Sequence, residues 1–105
     1  MDLSAAIDAF GALAQPTRLA VFRLLMAAGP EGLRAGEIAE RMGVPHNTLS
    51  THLGHLVQAH LLTSRRDGRS VHYAADLDGT RQLLGFLVAD CCNGRPELCA
   101  PIAEL

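Results

Sequence analysis

All three cysteines of this 105-residue chain fall in one short run, Cys91-Cys92-Asn93-Gly94-Arg95-Pro96-Glu97-Leu98-Cys99. Adjacent cysteines on a helix point about 100° apart, a poor geometry for a mutual disulfide but one that lets two thiolates reach a single atom. Gly94 and Pro96 end such a helix, so Cys99 can fold back as a third ligand. No histidine follows His72, and a tetrahedral Cys-plus-His zinc site would need donors from elsewhere in the fold. Three soft thiolates without a fourth donor suit an ion that accepts three sulfurs in a pyramid, and trivalent arsenic or antimony matches best. Cadmium, lead, or an oxidant acting through a disulfide would use the same thiols, and a small vicinal-dithiol reductase is a more distant alternative. An enzyme would want its thiolate activated by a neighbouring cation, whereas Asp90 opposes ionisation. The ordinary role of cysteine as a small buried hydrophobe accounts for Cys91 on an apolar stripe, but not for the clustering.

A second constellation lies upstream. Between Val44 and Ser64 there is no Asp or Glu, although His46, Asn47, Thr48, Ser50, Thr51, His55 and Gln58 form a polar helix face. A solvent face of that length usually carries carboxylates, and one that meets phosphate cannot. His46, Asn47, Ser50 and Thr51 can hydrogen-bond base edges or phosphates if the helix enters a major groove. Next comes Arg65-Arg66-Asp67-Gly68-Arg69, where residues 65–75 carry a formal +2, against −1 for residues 1–64 and −3 for 76–105.

The elements that must hold these groups follow from periodicity. Leu3, Ala6, Ile7, Phe10 and Leu13 form an apolar stripe on a short first helix. Pro16 suits the first turn of a second helix, which reads as largely buried and runs to Gly29-Pro30. Ala35 to Met42 forms a third, with Ile38, Ala39 and Met42 inward, closed by Gly43 in the left-handed conformation. In the fourth, Leu49, Leu53 and Leu56 face the core. A small residue at Ala39 and a glycine four residues on is the spacing of a helix-turn-helix, since the helices cross at the first and the chain reverses at the second; an ordinary αα-corner has the same elements. LLTSRR and RSVHYAA then flank Asp67-Gly68, the signal for a two-residue type I′ turn, and predict a β-hairpin over 62–75. Asp76 or Asp78 caps a final helix whose stripe is Leu84, Leu87, Val88 and Cys91.

Composition sets the limits. At 49% hydrophobic residues the chain can bury a core, and 4% aromatics with no Trp favours helices packed through Leu, Ala and Val. The net charge of −2 excludes a protein coated in cation, but leaves room for a basic stripe on a neutral body. All nine basic residues are arginine. An odd number of cysteines argues against a secreted disulfide scaffold and for reduced thiols in a cytoplasm. No apolar run reaches the ~20 residues that span a bilayer, and Met1-Asp2 opens no signal peptide, so no membrane association is expected.

Gln15-Pro16-Thr17-Arg18-Leu19, TLSTHLGHLVQAHLL and RRDGRSVHY together resemble the ArsR/SmtB family of winged-helix metalloregulators over most of the chain. The resemblance implies a single domain over 1–105, mainly α with a β-hairpin wing, forming a winged helix-turn-helix. Residues 33–61 would be the helix-turn-helix, 62–75 the wing, 1–13 and 78–93 dimerising helices, and 91–99 the inducer-binding segment. It further implies a non-enzymatic homodimeric repressor of operator double-stranded DNA, with contacts from His46, Asn47, Thr48, Ser50, Thr51, His55, Arg65, Arg66 and Arg69. The family carries sensor sites at several places. Leu33 to Met42 holds no cysteine, and the last helix lacks the Asp/His and His/Glu pairs of zinc sensors. An arsenic-responsive type is therefore expected, with Cys91, Cys92 and Cys99 binding As(III) or Sb(III) as inducer and no permanent cofactor. Two positions depart from the family pattern, Pro45 where Ser often caps the recognition helix and His60 where Gly is common. His52 and His55 have i, i+3 spacing, but His52 at the edge of the core face and His60 near its centre read as packing residues.

Overall fold

The computed structural model describes residues 1–89. Five helices and a small sheet follow in the order α1 (Leu3–Leu13), α2 (Pro16–Ala28), β1 (Leu33–Arg34), α3 (Ala35–Met42), α4 (His46–Gln58), β2 (Leu62–Asp67), β3 (Ser70–Ala75) and α5 (Leu77–Val88). The sheet is antiparallel with β3 in the middle, flanked by β1 and β2. This is the winged helix-turn-helix architecture expected, with one strand more than the hairpin. Two residues are too few to show a period, so β1 leaves no signal in the sequence.

The core gathers Val21 and Leu25 of α2, Ile38 of α3, Leu49, Leu53 and Leu56 of α4, and Leu61, Leu62 and Leu83, all essentially sealed from solvent. Helix α1 contributes differently from its expected stripe. Ala6, Ala9 and Ala12 are buried, whereas Leu3, Ile7 and Phe10 are 64%, 59% and 40% exposed. The α5 stripe divides the same way, with Leu83 inside and Leu84 and Leu87 about half exposed. Helix α2 is less buried than its composition suggests, because only Val21 and Leu25 are enclosed and Leu19 and Met26 face outward. Among the described residues, no helix is long and apolar enough to cross a membrane.

Caps set the helix boundaries. The side chains of Asp2, Gln15 and Asp76 accept hydrogen bonds from the backbone N–H groups of Ala5, Arg18 and Gly79 at 2.7–2.9 Å. Asp76, not Asp78, therefore starts α5. That helix was expected to run to residue 93 but ends at Val88, where Ala89 turns to extended backbone (φ −60°, ψ 128°) and no basic side chain supports the last turn. Cys91, Cys92 and Cys99, with the whole segment 91–99, lie outside the described residues.

The hairpin turn sits one residue later than predicted. Asp67 pairs with Ser70, so the central positions are Gly68 and Arg69. Gly68 has φ 63° and Arg69 is not in the left-handed region. That combination belongs to a type II′ turn, with glycine first, not to type I′ over Asp67-Gly68. The shift puts Arg69 at the apex of the wing.

His60 corrects a second expectation. It is exposed, not at the centre of a core face, and its backbone is left-handed with φ 62°. Its N–H donates to the Val57 carbonyl and that of Leu61 to Leu56, at 3.1 and 3.0 Å, which is a Schellman closure of α4 with Leu61 buried against the helix end. Glycine is the ordinary occupant of this position because a Cβ there meets the following carbonyl. Gly79 packs its backbone against the His60 carbonyl so closely that any Cβ would overlap it. His60→Gly is expected to raise stability by about 1 kcal/mol, and Gly79→Ala to lower it by about 2 kcal/mol, both read from urea unfolding of the reduced protein.

Candidate nucleic-acid interface

Helix α4 owes its position to Leu49, Leu53 and Leu56, whose burial at spacings of four and three turns the other face outward. On that face His46, Asn47, Thr48, Ser50, Thr51, Gly54, His55 and Gln58 are all exposed. Pro45 cannot cap α4 with its side chain, and Asn47 partly replaces the missing cap, its Oδ1 accepting from the Thr48 N–H at 2.9 Å. An adenine read by Asn47 through both amide atoms would have to compete for that oxygen, while its NH2 remains free. The Thr51 hydroxyl donates to the Asn47 carbonyl at 3.3 Å, leaving its lone pairs outward.

Ser50 of α4 and Arg69 of the wing line one groove with Arg34, Glu37, Glu40 and Tyr73, of about 640 Å³. The structure thus brings the middle of α4 and the wing apex together, with the two glutamates of α3 on the same groove. Arg65, Arg66 and Arg69 are exposed along the hairpin. His55 also borders the first helix. It lines a cleft against the first helix with Ile7, Asp8, Gly11, Ala12, Arg18 and Gln58.

Arg34 was missed by sequence reasoning. Register sets it opposite His72, which is in turn opposite Arg65, so the three basic side chains form one row across the sheet. The Arg34 Nε–H donates to His72 Nε2 at 3.4 Å, and the same nitrogen lies 3.8 Å from Asp67 Oδ2. The two arrangements exclude each other, since Nε2 accepts from Arg34 only when unprotonated and pairs with Asp67 only when protonated.

Comparison with known proteins agrees with this geometry. A family model described as a helix-turn-helix domain matches residues 13–65. Nodulation protein NolR of Rhizobium meliloti is 30% identical over 82% of this chain and 68% of its own length. YceK of Bacillus subtilis, an uncharacterized HTH-type transcriptional regulator, is 35% identical over 74% of the chain and 78% of its own. Among solved structures, the homodimeric winged helix-turn-helix DNA-binding domain of Mb0332 from Mycobacterium bovis, described as a possible ArsR-family regulator, superposes with a TM-score of 0.68 at 31% identity, over 84% of this chain and 81% of that one. The chain belongs to the ArsR-like family of winged helix-turn-helix transcriptional regulators. Within it α3 and α4 are the helix-turn-helix, α4 is the recognition helix, and β2 and β3 are the wing. In such a regulator a wing arginine on phosphate acts on all sequences alike. Arg69→Ala is expected to weaken DNA binding uniformly and to reduce the slope of log K against log salt by about one. Asn47→Ala should instead change sequence preference. Titrations at several salt concentrations check both, and an unchanged slope would take the wing apex off the contact surface.

Proposed function

We propose that this ArsR-like regulator represses transcription by binding operator DNA as a homodimer, and that trivalent arsenic or antimony held by Cys91, Cys92 and Cys99 releases it. The observation that carries the DNA half is the carboxylate-free outer face of α4 beside an arginine wing. His46, Asn47, Thr48, Ser50 and Thr51 are its base-edge and phosphate contacts, with Arg65, Arg66 and Arg69 on flanking phosphate and His55 at the margin nearest the first helix. The dimer is supported by the outward Leu3, Ile7 and Phe10 of α1 and Leu84 and Leu87 of α5, two helices that also pack on each other. Burying each such side chain yields about 1.5–3 kcal/mol. The Mb0332 domain is homodimeric, in keeping with this reading.

The inducer half rests on the cysteine cluster. Three thiols displace the hydroxyls of arsenous acid as water, forming three As–S bonds with no change of oxidation state. The thiols follow directly on the dimerising helix α5, so drawing Cys99 onto the atom bound by Cys91 and Cys92 changes how that helix ends. Two recognition helices must stand about 34 Å apart, one turn of DNA, and a small rotation at the interface is amplified over that distance. A coupling of about 1–3 kcal/mol lowers affinity by about 5- to 150-fold. Cytoplasmic thiols would be reduced and ready for this chemistry.

Cys99→Ser is expected to leave DNA binding intact and to abolish release by arsenite. An operator-release assay run with arsenite, antimonite, cadmium and peroxide on both proteins checks this. Release of the variant at the same arsenite concentration as the unsubstituted protein would overturn the three-thiol site, and a response to cadmium or peroxide alone would replace the inducer.

A further inference from the structure

Arg18 of α2 reaches two other helices. Its Nε–H donates to the Ala12 carbonyl at 2.6 Å and Nη2 to the Gly11 carbonyl at 3.5 Å, both in the last turn of α1. Its Nη1 stands 3.3 Å from Nδ1 of His52 on α4. The backbone of Arg18 is itself held, because its N–H donates to Gln15 Oε1 at 2.7 Å. A guanidinium has donors only, so Nδ1 of His52 must be the acceptor, and an imidazolium offers no lone pair. His52 is half-buried, between exposed Thr51 on the outer face of α4 and Leu53 in the core, so its ring stands at the edge of the core face.

We propose that Arg18 and His52 are a positioning pair that seats the recognition helix against the end of α1, and that protonating His52 unseats it. The charged and titratable groups acting on the ring are Arg18 from α2 and His55 on α4; Asp8 from α1 lines the cleft that Arg18 and His55 share. Burial, then Arg18, then His55 hold the ring below the ordinary histidine value of 6.5. A histidine depressed in the seated state binds fewer protons there than when released. The seating is therefore complete above about pH 6.5 and is lost as pH falls through the depressed value. The effect on DNA rests on the repressor reading above; the seating itself does not. It also has a distinguishing sign, since cation added on the outer face of α4 would strengthen binding to phosphate.

The test uses the full reduced chain. Histidine ring NMR and amide exchange across α4, corrected for intrinsic rates, are followed from about pH 8 to 5 without DNA. Binding to a duplex selected by this protein from a random pool at neutral pH is followed in parallel. In the unsubstituted protein, α4 protection should fall as His52 protonates, by a factor of about ten for each pH unit of its depression. In His52→Asn, whose Oδ1 takes the place of Nδ1 and does not titrate, protection should stay level; His52→Gln supplies the same readout if Asn weakens the helix. The ratio of variant to unsubstituted DNA affinity should rise in acid by the same factor. Level protection in the unsubstituted protein, or an equal fall in both variants, would overturn the pair. A falling protection with a constant affinity ratio would overturn its part in recognition. Failure to select any duplex would overturn the repressor reading while the exchange result still decides the seating.

Discussion

Three alanines set the arrangement of this molecule. Ala6, Ala9 and Ala12 are the buried face of α1, and small side chains there let that helix lie close on α2, α4 and α5. Because the close face is taken by alanine, Leu3, Ile7 and Phe10 must stand on the other side. The large apolar residues of α5 are similarly divided between Leu83 within and Leu84 and Leu87 without. A monomer gains nothing from those outward residues, whereas a second copy would bury them at about 25 cal/mol per Å². The same packing puts the carbonyl end of α1 within reach of Arg18, and through it of α4. The outward apolar face of α1 and the proposed recognition helix are thus linked through one helix end.

The recognition helix carries two patterns at once. Leucines at 49, 53 and 56 fix its inner face, and residues without carboxylates fill its outer face. Its start is held by unusual means, with Pro45 at the cap position and Asn47 folded onto the first turn. Its end is held by His60 in a left-handed conformation, against which the backbone of Gly79 is pressed. The end of α4 is thereby tied to the start of α5, the helix that leads toward the cysteines.

Much of this was legible from spacing. The α4 leucines, the Gly43 helix closure and the 62–75 hairpin each follow a local rule, and all but the exact turn of the hairpin stand where the rule puts them. The misses share a cause: they depend on contacts between segments far apart in sequence. Nothing local says that Arg34 pairs across the sheet with His72, or that Arg18 reaches His52 thirty-four residues on. The hairpin turn slipped by one residue because Asp-Gly and Gly-Arg both satisfy a two-residue loop, and only cross-strand register decides between them. In α1 the apolar stripe was visible, but hydrophobicity alone does not say which half of it is buried and which half stays exposed.

In the proposed function the dimer is the unit that holds DNA and the cysteine cluster the means of letting it go. Native mass spectrometry of the reduced protein on a bound operator duplex, titrated with arsenite, tests both together. The account predicts two chains per duplex at the start, giving way to free duplex and protein dimers that carry one arsenic atom for each chain. Single chains on the duplex, or arsenic-loaded dimers that stay bound to it, would contradict it.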